Sequence, residues 1–287
     1  MSEFWIRSLA SGSRGNCWIL AAGSTRVLVD AGINAKQIQS KLLEAGVEPE
    51  SIQAIFLTHE HSDHIGGIPV LSRRFGMPTF TAPETAGVPK WGGKALAHER
   101  GVRVVPLAPG EPACIGEITV RSFPVSHDAA DPMMFVFEHQ ERRIGFATDL
   151  GMVTRLVHDR LRGVDALVLE SNHDVRMLDE GPYRPEDKKR IKSRLGHLSN
   201  EQAQEFVRQI AHPGLGALVL AHLSKINNTP EIAHAGMRAV LDEVAPHTHL
   251  SIALQDEIGE VIAVPHVSGA GRDAATGVGR APLEAVV

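Results

Sequence analysis

His59-Glu-His-Ser-Asp-His64 follows the apolar run Ala54-Ile-Phe-Leu57 and is closed by Gly66-Gly67. The run reads as a buried β-strand entering a tight loop. Side chains two apart share a strand face, so His59 and His61 are aimed to one side while Asp63 and His64 are left for a second centre. An isolated histidine is usually just solvated. Three imidazoles and a carboxylate this close together are better explained as metal ligands, with one loop serving two ions.

With 287 residues, 43% of them hydrophobic, the chain is long enough to bury a substantial core. We read residues 1–265 as one catalytic domain and residues 266–287, Gly/Ala-rich without apolar periodicity, as a flexible tail. Only two cysteines occur, Cys17 and Cys114, and they are expected to be buried thiols rather than a disulfide. No basic segment precedes an apolar one at the start and no long apolar span occurs, so a cytoplasmic protein without a membrane segment is expected. The net charge of −5 excludes a protein that is basic all over. It does not exclude a local track: between Arg184 and Arg194, six basic residues, Lys188 and Arg190 among them, face two acidic ones, a net +4.

Strands are expected over Phe4 to Leu9, Trp18 to Ala22 and Arg26 to Asp30 as a meander, followed by a helix from Lys36 to Glu44 that ends at Gly46. A helix through Arg74, a strand over Pro78 to Ala82 and a Gly/Pro-rich connection over residues 83–93 come next. Residues 102–107, 113–123, 133–138 and 142–148 read as four more strands. The chain then alternates. Helices are expected near Val153 to Leu161, Glu186 to Arg194, Asn200 to Ile210 with Asn200 as N-cap, and after Pro230. Strands are expected over Ala166 to Leu169, Ala217 to Ala221, Leu250 to Leu254 and Val261 to Val264. Two mixed sheets packed face to face with helices outside, a four-layer α/β sandwich, satisfy these patterns; a doubly wound parallel sheet fits the early meander poorly.

Three further polar residues each end an apolar run and precede a loop: His127, Asp149 and His222. Singly, each has an ordinary explanation as a turn residue. Together they would supply a third imidazole, a carboxylate able to bridge two ions and a ligand for the second ion.

This pattern, Thr58-His-Glu-His-Ser-Asp-His64 with Asp30 upstream and His127, Asp149 and His222 downstream, resembles the metallo-β-lactamase superfamily. The resemblance implies an αββα sandwich with His59, His61 and His127 on one metal and Asp63, His64 and His222 on the other. Asp149 would bridge the two, and Asp30 would orient a ligand. The zinc β-lactamases commonly carry cysteine where Asp149 stands, so antibiotic hydrolysis is not expected.

Leu9-Ala-Ser-Gly-Ser-Arg-Gly-Asn16, Ser126-His-Asp-Ala-Ala-Asp-Pro132, Glu170-Ser-Asn-His-Asp174, Gly196-His-Leu-Ser-Asn200 and Ala221-His-Leu-Ser-Lys-Ile-Asn-Asn-Thr-Pro230 resemble, more narrowly, the YycJ/WalJ-like exonuclease branch. That resemblance implies a dinuclear metal-dependent phosphodiesterase, a 5′-to-3′ DNA exonuclease using two divalent ions (Zn, Mn or Fe). Asn172, His173 and Ser199 are candidates to grip phosphate, and Lys188 and Arg190 to track the adjoining backbone. His197 is the candidate proton donor to the leaving oxygen, with Glu170 orienting it. The loop around Ser11 to Asn16 lacks the Gly-Lys-Ser/Thr ending of a nucleotide-binding loop, so ATP is not expected. The 72 residues between Asp149 and His222 leave little room for an inserted β-CASP domain. Two alternatives stand beside this reading: a small-molecule thioester or lactone hydrolase, and a noncatalytic nucleic-acid-binding metalloprotein.

Overall fold

The computed structural model describes residues 3–89, 95–99 and 101–265. The chain opens with the expected antiparallel meander, β1 (Phe4–Ala10), β2 (Cys17–Ala22) and β3 (Thr25–Val29). Helix α1 (Ala35–Glu44) follows, its Asn34 cap accepting from the Lys36 amide, and β4 (Ala54–Phe56) then runs parallel to β3. The single helix expected up to Arg74 is instead two, α2 (Ser62–Ile65) and α3 (Ile68–Phe75). They part because the Gly67 N–H donates to Ala31 O, 2.7 Å away, rather than along the helix. β5 (Thr79–Thr81), α4 (Pro83–Gly87) and β6 (Val104–Pro106) complete this half. Of the connection read over 83–93, residues 90–93 lie outside the described residues, as does the whole of the expected tail at 266–287.

Residues 113–123 form two strands, not one. β7 (Pro112–Ile115) and β8 (Ile118–Pro124) pair antiparallel around Gly116, whose φ of 51° turns the chain back. β9 (Met133–His139) and β10 (Arg142–Ala147) make the next hairpin. Alternation follows: α5 (Arg155–Leu161), β11 (Ala166–Glu170), α6 (Val175–Glu180), α7 (Pro185–Ile191), α8 (Asn200–Ile210), β12 (Ala217–Ala221), α9 (Pro230–Val244), β13 (His249–Ile252) and β14 (Ile262–Ala263). Helix α6 was not expected; it buries only Leu178, too little for an apolar period to show. The N-cap of α8 is Ser199, not Asn200. Its hydroxyl accepts from the Gln202 amide while the Gln202 side chain takes the Ser199 N–H, a reciprocal box that fixes the helix start one residue early.

The strands form two seven-stranded sheets, ordered β14-β1-β2-β3-β4-β5-β6 and β13-β12-β11-β10-β9-β8-β7. Each is antiparallel at one end and parallel at the other. Their inner faces meet in one core: Phe56 stands edge-on to Phe135 and Phe137 at ring separations of 5.7 and 5.9 Å, and Trp18 to Phe146 at 5.6 Å. A second apolar cluster lies outside the first sheet, where Ile19, Leu28 and Ile55 meet Ile38 and Leu42 of α1 and Leu71 of α3. The expected four-layer sandwich of two mixed sheets flanked by helices is therefore the observed architecture.

Candidate metal centre

The parallel strands of both sheets deliver their carboxyl ends to one place. Asp30 follows β3, His59 follows β4, Asp149 follows β10, Glu170 ends β11 and His222 follows β12. At three of these exits the backbone is left-handed: φ is 57° at Asp30, 51° at Asp149 and 54° at His222. Such a turn is uncommon for residues other than glycine, with Asp and His among the side chains that enter it more often. It swings each side chain off its strand face toward the gap between the sheets. The histidine loop is pinned against the first sheet by Asn16 N–H to Asp63 O (2.7 Å) and Ala31 N–H to His64 O (2.8 Å). The approach is so close that a Cβ on Gly32 would lie 1.5 Å from Asp63 O.

Here the chain brings together the side chains singled out in its sequence. Among the described residues four sets have ligand atoms within 4.8 Å of one another: His59 with His61 and His127; Asp63 with His64 and His222; His59 with His64 and Asp149; and Asp149 with Glu170, His197 and His222. Asp149 belongs to both sides, its Oδ2 lying 3.4 Å from His64 Nε2 and its Oδ1 3.9 Å from His127 Nε2.

Each imidazole has one nitrogen tied away from the shared space. His64 Nδ1–H donates to Asp30 Oδ2 at 2.7 Å, His127 Nδ1–H to Gly196 O at 3.1 Å and His222 Nδ1–H to Glu170 Oε1 at 2.9 Å. His61 Nε2–H donates to Asp128 O (3.2 Å), and His59 Nδ1–H to Thr58 Oγ1 (3.0 Å), whose own hydroxyl donates to Asp30. These bonds set the tautomers, so that in each neutral ring the opposite nitrogen is the lone-pair donor. His59 Nε2, His222 Nε2 and Asp149 Oδ2 are buried without a hydrogen-bonding partner, which is costly unless a cation completes them. Asn16 Nδ2, 3.1 Å from His64 Nε2, fastens the loop from Ser11 to the same place.

The two halves differ in charge. Burial, with neighbouring imidazoles His64, His127 and His61, holds His59 well below the usual histidine range, and burial lowers His127. Both are neutral and ready to ligate. On the other side burial opposes protonation but the carboxylates outweigh it. Asp149, Asp63 and Glu170 push His222 up to about 10, and Asp30, Asp149 and Asp63 raise His64. Asp63 and Glu170 are driven down despite burial by the imidazoles against them. Among the described residues, no lysine or arginine pairs with Asp30, Asp63, Asp149 or Glu170, so imidazolium protons, a bound cation or, at Asp30, whose carboxyl burial pushes up, its own proton must balance them.

Glu170 is fully buried and fully engaged. Oε2 accepts from the amides of Leu150 and Leu198, both at 2.9 Å, and Oε1 accepts from His197 Nδ1 at 2.8 Å as well as from His222. His197 stands between His127 and His222, ring centroids 5.1 and 5.2 Å away, and its side chain is 12% exposed.

The residues expected to grip phosphate fare differently. Asn172 is buried, its amide donating to His222 O at 2.9 Å, so it braces the His222 backbone. Ser199 spends its hydroxyl on the cap of α8. Both are buried and already bonded inside the fold, where they support the centre. His173 is also buried, bridged to Ser199 through the backbone. Lys188 donates to Asp179 O at 2.8 Å on the surface of α7, while Arg190 Nη1 reaches Asp128 Oδ2 at 2.7 Å, beside His127. Thr58 and Asp128 were not among the residues singled out, although each adjoins one that was. Cys17 is buried and Cys114 exposed, both as free thiols, so the expectation of two buried thiols holds only for Cys17; Cys114 lies on β7 with its hairpin partner on only one side. Among the described residues no helix is long and apolar enough to cross a membrane.

Comparison with known proteins gives four concordant matches. A family profile described as a beta-lactamase superfamily domain matches residues 25–223. The exodeoxyribonuclease WalJ of Streptococcus pneumoniae is 38% identical over 242 residues, covering 83% of this chain and 88% of that protein. The exodeoxyribonuclease YycJ of Bacillus anthracis is 36% identical over 241 residues, covering 82% and 88%. In fold, the chain is similar to the metallo-beta-lactamase fold protein YhfI from Bacillus subtilis, with a TM-score of 0.67 at 16% identity over 91% of this chain and 99% of that one.

Proposed function

The chain belongs to the beta-lactamase superfamily, beside the WalJ and YycJ exodeoxyribonucleases, and from that premise we propose that it is a dinuclear metal-dependent phosphodiesterase that degrades DNA from 5′ ends. The observation that carries the reading is the set of imidazoles held outward by one nitrogen, together with the partnerless inward atoms of His59, His222 and Asp149. His59, His61 and His127 would hold one ion, Asp63, His64 and His222 the other, and Asp149 both. Divalent ions there, Zn²⁺, Mn²⁺ or Fe²⁺, would acidify bound water and neutralise charge growing on a phosphoryl oxygen.

The chain's own groups supply the rest. Asp30 and Glu170 keep His64 and His222 in the tautomer that leaves Nε2 unprotonated toward the ions. As an imidazolium with Nδ1–H bonded to Glu170, His197 would donate its Nε2 proton to the departing deoxyribose oxygen. The Arg190–Asp128 contact brings α7 to the rim beside His127, where its exposed basic side chains can follow the phosphate backbone. End-labelled, 5′-phosphorylated duplex DNA incubated with Mn²⁺ or Zn²⁺ should be shortened from the 5′ end, and Asp149→Ala should reduce this to background. Turnover of thioesters without DNA cleavage, or salt-dependent DNA binding without cleavage under every metal, would refute the proposal.

A further inference from the structure

Helix α7 presents basic side chains on two flanks, and the centre meets one of them. Arg190 is turned to the centre, its Nη1 on Asp128 Oδ2 at 2.7 Å, next to His127. With 3.6 residues to the turn, Lys188 and the C-capping Lys192, two positions to either side of Arg190, are rotated about 160° away from it, and Lys189 lies between the flanks. These three lysines line, with Pro185 and Ser193, an open hollow of about 580 Å³.

The lysine flank is held in shape. Asp179, near the end of α6, accepts from Lys192 with its carboxylate and from Lys188 with its backbone carbonyl at 2.8 Å, so two ammonium groups are kept side by side. Each ammonium has three N–H donors and keeps others for an incoming oxygen. One carboxylate against three lysines leaves the hollow positive. The acidic residues of α7 do not cancel that charge: Glu186 stands one turn before Arg190, and Asp187 is engaged by Arg184 at 3.0 Å.

An α-helix with its side chains is about 10–12 Å across, and the major groove of B-DNA, walled by two phosphate backbones, is about 12 Å wide. A helix with cations on one flank can follow one strand. Helix α7 has them on both, while its inner edge is seated in the protein through the buried Ile191. The catalytic centre adjoins the Arg190 flank, so the strand being cut passes there. The lysine flank then faces the other wall of the groove.

We propose that Lys188, Lys189 and Lys192 bind phosphates of the uncut strand, and that α7 is thereby the element that selects a duplex end over a single strand. The inference rests on the DNA reading of the centre and adds to it a surface for the second strand. Phosphate contacts carry no base information, so the selection would act at ends of any sequence.

The test compares a 5′-phosphorylated duplex with its labelled strand alone. Full-length wild type, Lys189→Gln/Lys192→Gln and Arg190→Gln are titrated with each DNA by fluorescence anisotropy after metal removal, between about 50 and 200 mM salt, and KM is measured with Mn²⁺. For Lys189→Gln/Lys192→Gln we expect duplex affinity to fall by about 10–50-fold, with a salt dependence shallower by about two ions, and single-strand affinity to fall several-fold less. KM should follow the same split. Arg190→Gln, on the flank of the centre, should weaken duplex and single strand alike. Circular dichroism and melting temperature report that the variants are folded. Equal losses on the two DNAs for the lysine variant, or no loss on either, overturn this inference and leave the nuclease reading standing. If wild type cleaves neither DNA with Mn²⁺ or Zn²⁺, the nuclease reading fails and this inference with it.

Discussion

Glu170→Gln keeps the volume of a side chain with four donors around it and removes its ability to accept from all four. In the native protein Oε2 takes the amides of Leu150 and Leu198, and Oε1 takes His197 and His222. A carboxamide has one acceptor oxygen and one donor nitrogen, so one pair of donors must meet an NH₂ group. The backbone amides cannot move their protons; the imidazoles can. The new carboxamide would therefore turn its oxygen to Leu150 and Leu198 and its nitrogen to the rings, shifting the His222 proton from Nδ1 to Nε2, the atom proposed to ligate. Charge-assisted bonds worth about 1.5–3 kcal/mol each become neutral ones of about 1 kcal/mol, a stability loss on the order of 2–4 kcal/mol after partial relaxation. Removing such an outer partner of a ligand typically weakens metal binding about 10–100-fold. The assays are denaturant unfolding of the metal-free protein and calorimetric titration with Zn²⁺. The weakening should fall on the step that involves His222. Unchanged affinity at both steps, or a loss confined to the His59, His61 and His127 step, would refute the argument.

Proton release should separate the two ions. His59 and His127 are neutral at pH 7.5, whereas His222, raised to about 10, and His64 hold protons that an ion must displace. Calorimetry in buffers of different ionisation enthalpy should show little proton release in one step and clear release in the other, whose affinity climbs with pH toward about 10. Metal-free stability should run the opposite way. A raised histidine stabilises fully below its unfolded value of about 6.5 and loses that contribution as pH rises through the folded value, so the metal-free melting temperature should fall between pH 6.5 and 10. Phe56→Ala removes a fully buried ring wedged against Phe80, Phe135 and Phe137 and should cost about 3–5 kcal/mol by denaturant unfolding, lowering melting temperature with or without metal. Adding Zn²⁺ to chelator-stripped protein at about 100 times its dissociation constant should restore about 2.7 kcal/mol per site, measured as a rise in melting temperature.

The centre was legible in the sequence because its parts sit at strand ends, where an apolar run stops at a polar residue. His127, Asp149 and His222 carry that mark as plainly as the histidine loop does. Residue type does not reveal which atoms are already spoken for. Asn172 and Ser199 look like phosphate grips until their bonds to His222 O and to the α8 amides are seen. Asp128 is the reverse case: a carboxylate in a polar loop that reads as solvated, with one oxygen buried. Element boundaries slipped for local reasons. Ser199 and Asn200 are both good caps, and only the Gln202 side chain decides between them. Gly116 alone divides a stretch that otherwise reads as one strand.

The left-handed backbone at Asp30, Asp149 and His222 has an evolutionary consequence. Glycine would sit in each of those conformations without the roughly 1–2 kcal/mol that a Cβ incurs there. Two of these side chains also bring carboxylates into the interior. Selection for thermal tolerance alone, with nuclease function left unscreened, should therefore replace these three positions early, with glycine or asparagine favoured. A lineage that has lost the activity should keep the sandwich intact and show its erosion first at these strand exits. On the proposed metal reading, their identity in a distant homologue indicates retained catalysis better than the overall percentage of matching residues.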